Sequence, residues 1–415
     1  MRDIYYSLFN GVVSRFVVFA INSIAVKLLL AEDFGSFSYL MTIVASFAAV
    51  SAMGMGGGVN KSVATHFLKN PDFARRVVTS SIALITLLII VCSIVLFNFL
   101  NLTQRFGISS ELVSYAILVL LVWLLSIAGI VEGGLNGLGE YKGMAINSTI
   151  VFLVVIPFSY FSISLWGVIG GVLSLLIYRF LAVSLNFITL VRRGAVSFDY
   201  QISSLLQKDT FDVFLKIGFP AMLGTVMVGP TIALAMTMLS AQTDGMRELA
   251  YFSWVYQIYL MAIFIPNMLS GFYLSKLARG DEHGYKLSTV IKINTGFSVS
   301  IAAILILIKS FVLGYAGVDY INSAEGVYNL MACVIVMFGI NSSFSSYWVA
   351  NSKVWLGFFL NLIWAASLLT TVFLFSETRG AEAIALGFLC AYCIQFCIQA
   401  TIAFKSTKAT TGCIP

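Results

Sequence analysis

The stretch GVVSRFVVFAINSIAVKLLLAEDFGSF, Gly11 to Phe37, decides the class of this chain. Its first part is an unbroken apolar run of the length a helix needs to cross a bilayer, about 20 residues. Arg15 and Lys27 nevertheless lie inside that run, and no acidic residue shares it. A cation in hydrocarbon costs about 2.5–3.5 kcal/mol on insertion scales, so it normally faces protein or water. A soluble protein has no use for such a helix, and a plain membrane anchor has no use for its charges.

Working outward, the pattern repeats along all 415 residues. Apolar types make up 60% of the chain and Asp, Glu, Lys and Arg only 10%, against about 25% charged in an average soluble domain. Apolar runs broken by Gly, Asn and charge clusters predict spans at 11–30, 36–58, 77–99, 112–132, 144–163, 166–190, 214–239, 249–272, 290–313, 327–349, 354–375 and 382–404. The expected fold is an all-α polytopic membrane protein, with about twelve transmembrane helices in two related six-helix lobes around a central cavity. MRDIYYSLFN leads straight into the first span without a small-residue cleavage site, so no cleaved leader is expected.

Loop charge gives the expected orientation. With the N-terminus in the cytoplasm, seventeen of the twenty-four Lys and Arg fall on that side, four fall outside, and Arg15, Lys27 and Arg179 fall within spans. That bias follows the positive-inside rule with both termini cytoplasmic. The net charge of +6 is then a topology signal, not a nucleic-acid footprint.

The longest polar interval, Arg192 to Lys216, falls mid-chain. It divides the chain into an N-terminal lobe at 1–191, a cytoplasmic linker at 192–213 and a C-terminal lobe at 214–415. The halves share spaced residues: Lys61 and Lys276 lie 215 apart, and Lys142 and Lys353 lie 211 apart. Parallel repeats of this kind place a substrate site between the halves near mid-membrane. Pro157, Pro220, Pro230 and Pro266 interrupt predicted spans, where each removes a backbone hydrogen bond. Gly129, Gly133 and Gly137 repeat every four residues, the small-residue spacing of close helix contact.

There is no GxxxxGK[ST] loop, no His/Glu metal motif and no nucleophile–base pair in a polar segment. The work expected is binding and conformational change, not bond chemistry. Arg15 and Asn22, seven apart, share a helix face, and Lys27 is turned from Arg15 by about 120°. Arg179 lies in the sixth span and Lys216 opens the seventh. Cations lining a cavity call for an anionic ligand, and Arg suits bidentate contact with phosphate. The plainer alternatives are that Lys27 snorkels to the interface and that Lys216 is an ordinary inside charge. The run Met53-Gly-Met-Gly-Gly-Gly58 reads either as a phosphate cradle or, more simply, as packing or a helix break.

Spans eight and ten are rich in aromatics and amides, including Trp254, Gln257, Asn341 and Trp348. Sugars stack on aromatic faces and hydrogen-bond to amides, which makes Trp254 and Gln257 substrate candidates. The competing reading is an interfacial aromatic belt with helix–helix hydrogen bonds. Cys390, Cys393 and Cys397 share one face of the last span and read as packing.

LLLAEDFGSFSYL followed by GMGGGVNKSVATHF, then LNGLGEYKGMA, LWGVIGG, LKIGFPAMLG, ELAYFSWVYQI and IPNMLSGFYLSKLAR, resembles the polysaccharide transporter family over essentially the whole chain. The likeness is nearest to Wzx-type O-antigen flippases of bacterial inner membranes, in the multidrug/oligosaccharidyl-lipid/polysaccharide exporter superfamily. The resemblance implies a non-enzymatic flippase that turns an undecaprenyl-pyrophosphate-linked oligosaccharide from the cytoplasmic to the periplasmic leaflet. It also implies the bilayer, a polysaccharide polymerase and chain-length machinery as partners. No cofactor is expected beyond coupling to a proton or sodium gradient or to membrane potential. One rival is a cation-coupled drug or small-solute exporter, disfavoured because the first helix carries cations and no buried acid is evident. Another is a membrane polysaccharide polymerase, disfavoured by short outer loops.

Overall fold

The computed structural model describes residues 2–103, 112–196, 227–270, 287–350 and 353–411. These residues form helices, and no strand occurs among them. The helices are α1 (Arg2–Leu28), α2 (Ala31–Ala52), α3 (Met55–His66), α4 (Pro71–Thr103), α5 (Leu112–Leu138), α6 (Tyr141–Arg192), α7 (Val228–Ser240), α8 (Gly245–Ala262), α9 (Leu287–Leu307), α10 (Lys309–Ala316), α11 (Val318–Ser323), α12 (Glu325–Ala350), α13 (Val354–Arg379) and α14 (Ala381–Thr411). Among the described residues, ten stretches are long and apolar enough to cross a membrane, and α7 adds a shorter apolar helix. One of the ten, α6, has 52 residues and turns back at Gly167, so it supplies two spans. The count is therefore about twelve, as the hydropathy predicts.

The described residues group into two compact units. Unit 1 holds Met1–Leu29 and Ser36–Pro230, and unit 2 holds Leu30–Gly35 and Thr231–Pro415. In unit 1, α1 packs along α6, α3 against α5, and α5 against α6. In unit 2, α13 packs along α14, α9 against α12, and α12 against α14.

Local chemistry sets the helix ends. Pro71 opens α4, where its missing N–H costs nothing. Asn70 Oδ1 accepts from the Phe73 amide at 3.1 Å, capping that first turn. The predicted second span, 36–58, is broken instead: α2 stops at Ala52, Met53 and Gly54 take positive φ (46° and 64°), and a separate α3 begins. The glycine run is thus a helix break and a packing surface. A Cβ on Gly133 of α5 would lie 2.3 Å from the Gly56 carbonyl oxygen, so the α3 and α5 backbones touch there. Pro157 lies inside α6; Pro266 follows a break in helix at Ile263; Pro220 falls outside the described residues.

Two turns carry the internal repeat. Gly167 (φ 54°, ψ −127°) and Gly380 (φ 51°, ψ −127°) lie 213 positions apart and reverse the chain between the last two spans of each half. Glu140 (φ −82°, ψ 47°) and Lys353 (φ −92°, ψ 49°), also 213 apart, start the preceding helices. The structural partner of Lys353 is therefore Glu140, not Lys142, which corrects the lysine pairing read from the sequence. The Gly380 conformation is one that only glycine adopts without strain. Gly380→Ala is expected to lower unfolding stability by about 1–3 kcal/mol, and its Cβ would also press within 2.4 Å of Glu248 Oε2, the oxygen that accepts from the Ala381 amide at 2.7 Å. Thermal unfolding in detergent reads this. Gly357→Ala, with nothing within 4 Å, is the neutral control.

Candidate functional site

Apolar residues on one side of α1, Val17, Ile21 and Ala25, are buried, and α1 packs along α6. The Tyr178 hydroxyl on α6 donates to the Ser14 carbonyl at 3.1 Å. That bond puts the Ser14–Arg15 turn of α1 level with Tyr178 and Arg179 of α6. Arg15 itself is exposed, beside Phe16, whose ring lies 5.9 Å from Phe152. Arg179 is half-buried, with its guanidinium carbon 4.7 Å from the Tyr178 ring centroid.

A carboxylate completes this level. Glu132 of α5 interacts electrostatically with both Arg179 and Tyr178. From the sequence, no carboxylate was expected at the depth of the span cations; the structure corrects that. Glu132 and Arg179 are far apart in the chain and meet only because α5 crosses α6. Depth along one helix carries no information about lateral neighbours.

Asn22 and Lys27 are placed differently. Asn22 is buried at 5% exposure, and its amide nitrogen donates to Val18 O of its own helix at 2.8 Å. It shares a face with Arg15, but seven residues are about 10 Å of rise, enough to pass from an open level to a covered one. Lys27 is exposed in the last turn of α1, where the helix dipole favours a cation. Lys216 falls outside the described residues. At the foot of unit 1, Arg193 pairs with Glu140 at 2.7 Å, which holds its guanidinium pKa above the usual value. Arg75 Nε donates to the Gly194 carbonyl at 2.6 Å, tying α4 to the end of α6.

In unit 2, Trp254 is 2% exposed, donates its indole N–H to Val312 O at 3.2 Å, and stacks on Tyr315. Gln257 is half-buried on α8. Phe252, Tyr256, Tyr259, Phe388 and Tyr392 form one ring cluster between α8 and α14. Beside it, Trp348 donates to Gln399, Gln399 to Asn341 Oδ1 at 2.7 Å, and Asn341 to Tyr392 O at 3.1 Å. These ring contacts and amide hydrogen bonds link helices within unit 2. A polar cavity of about 670 Å³ is lined by Gln242, Asp244, Glu248, Ser376, Arg379 and Glu382, none of which the spacing patterns singled out.

No family model matches the chain. It is 24% identical over 408 residues to the EPS I polysaccharide export inner membrane protein EpsE of Ralstonia nicotianae, covering 94% of this chain and 90% of that protein. It is 22% identical over 418 residues to the protein of the same name from Ralstonia solanacearum, with the same coverage. Among solved structures, the inward-facing conformation of a multidrug resistance MATE family transporter of the MOP superfamily superposes with a TM-score of 0.78 at 13% identity, covering 97% of this chain and 99% of that one. A MOP superfamily transporter from Pyrococcus furiosus, described as having a binding pocket of reversed polarity, superposes with a TM-score of 0.69 at 14% identity, covering 96% and 93%. The chain has the fold of these membrane transporters.

Proposed function

We propose that this chain, built on the MOP-superfamily transporter fold, flips a lipid-linked oligosaccharide across the bacterial inner membrane, with both termini in the cytoplasm. The substrate is an undecaprenyl-pyrophosphate-linked repeat unit, moved from the cytoplasmic to the periplasmic leaflet as lobes 1–191 and 214–415 open alternately. The observation that carries this reading is an exposed Arg15 on a membrane-spanning helix, level with Arg179. An arginine within a span normally faces protein or a water-filled cavity, and a guanidinium pair suits a pyrophosphate. The relatives named for polysaccharide export support the same substrate class.

The membrane potential favours this direction. A pyrophosphate carries about two negative charges, and each charge moved across 100 mV is worth about 2.3 kcal/mol, so outward transfer gains on the order of 4–5 kcal/mol if nothing compensates it. A polymerase and chain-length machinery are the partners that would consume the flipped unit.

Glu132 keeps the drug-exporter reading alive, because the argument against it rested on a lack of buried acid. One experiment separates the two. Deleting the gene is expected to trap the lipid-linked oligosaccharide in the cytoplasmic leaflet, where lectin or glycosidase access on inverted vesicles detects it, and to leave drug accumulation unchanged. Normal polysaccharide export with raised drug accumulation would overturn the flippase and favour the exporter.

A further inference from the structure

The link between α9 and α12 in unit 2 is the pair of short helices α10 and α11, and its two sides differ in chemistry. One side is fixed to α8. Trp254 donates its indole N–H to Val312 O at 3.2 Å and stacks on the Tyr315 ring. Tyr251 meets Tyr320 edge to face, with ring centroids 5.0 Å apart. Leu313 and Tyr320 are buried. Two ion pairs hold the link in place: Lys309 with Glu325, and Arg247 with Asp319 at 3.3 Å. The other side is open and apolar. Leu307, Phe311 and Val318 are 83%, 78% and 76% exposed, and Ile308 and Tyr315 are exposed as well. Phe311 and Tyr315, four apart, share one face of α10.

Helix length fixes the depth of this face. The 21 residues of α9, Leu287–Leu307, rise about 31 Å, against a hydrocarbon core of about 30 Å. Phe297, Val299, Ile304 and Ile306 on α9 are exposed, which on a span means turned to lipid. The chain leaves this span at Ile308, where φ −95° and ψ 9° break the helix, and returns at Glu325, the first residue of α12. The link cannot climb away from that level, because Arg247, Tyr251 and Trp254 hold it to the first turns of α8. Its apolar side therefore continues the lipid-facing stripe of α9 from Ile304 through Leu307 and Ile308 to Phe311. Tyrosines collect here too: Tyr251, Tyr315, Tyr320 and Tyr328, whose hydroxyl donates to Leu305 O at 2.9 Å. Such rings are enriched where a membrane meets water.

We infer that α10 and α11 lie flat in the membrane–water boundary, with Leu307, Phe311, Tyr315 and Val318 sunk among the headgroups and upper acyl chains of one leaflet. With both termini cytoplasmic, that leaflet is the outer one. The partner of this face is the lipid surface. A protein partner is a poorer match, because Lys309, Asp319 and Glu325 are each paired within the chain and the open side offers apolar groups. The link ties the ends of α8, α9 and α12 to one depth and gives unit 2 an anchor in the leaflet, whatever the substrate.

The test is electron paramagnetic resonance on the full-length protein in liposomes of phosphatidylethanolamine and phosphatidylglycerol, with the native cysteines changed to alanine. A nitroxide is attached at Phe311→Cys or Val318→Cys. Its relaxation by oxygen, which dissolves in the bilayer, is compared with relaxation by a water-soluble nickel chelate. Ile304→Cys on α9 is the lipid reference, and Thr243→Cys, exposed between α7 and α8, is the water reference. Both link labels are expected about 5–10 Å inside the headgroup boundary, with oxygen favoured over nickel and values between the two references. Labels as open to nickel as the one at Thr243 overturn the inference and put the link in water. Labels shielded from both reagents also overturn it and indicate a second protein on this face. All four positions are exposed, so the fold does not depend on their side chains. The measurement needs no transport, so a failed flippase reading leaves it standing.

Discussion

Arg15→Ala is expected to reduce exported polysaccharide at least tenfold while the protein still inserts and accumulates normally. Arg15 is exposed on a membrane-spanning helix, so its removal leaves no hole in a packed core. What it takes away is one charge-assisted hydrogen-bonding group for an anion, worth about 1.5–3 kcal/mol, or roughly a tenfold to hundredfold loss in binding. Arg15→Lys keeps the charge but loses the planar fork, so partial activity is expected if charge dominates and little if bidentate contact does. Lys27→Ala, at the exposed last turn of α1, is expected to change export far less. Arg179→Ala is harder to read alone, because it also frees Glu132. Pairing it with Glu132→Gln separates loss of an anion contact from a carboxylate left buried. Export is read from surface polysaccharide at matched protein level. Normal export from Arg15→Ala removes the anion site from this helix.

Gly133→Ala is expected to cost about 1–3 kcal/mol of unfolding stability, and Gly133→Val more. The added Cβ would lie 2.3 Å from the Gly56 carbonyl oxygen, and the obstacle is backbone, which cannot rotate aside. Gly137 is in the same position, with Asn60 O and Val63 Cβ each 2.8 Å away. Gly129→Ala, four residues earlier on the same stripe, has nothing within 4 Å and is expected to be silent. Thermal unfolding or fluorescence-detected gel filtration distinguishes the three. Equal tolerance at Gly133 and Gly129 would mean that α3 and α5 do not meet where the structure places them.

This glycine series shows what local reading reaches. Spacing at i, i+4 and i+8 marks a helix face that another helix can approach closely. It is silent on which glycine bears the crossing, because the contact is set by Gly56 on a helix more than seventy residues earlier. The aromatic-rich eighth span behaves alike. Its composition fits sugar stacking and helix packing equally, and only the structure places Trp254 under cover, stacked on Tyr315.

The sequence by itself determined the membrane class, the approximate spans and the repeated build. Each follows from properties of single segments, above all from bilayer thickness setting the length of an apolar run. Only the tertiary structure decided that Asn22 is covered while Arg15 is open, that Glu132 reaches Arg179, and that Trp254 reaches Val312. Those facts belong to pairs of helices. Charges and hydroxyls act over a few ångströms of space, and the chain distance between them is unrelated to the lateral distance that helix crossing creates.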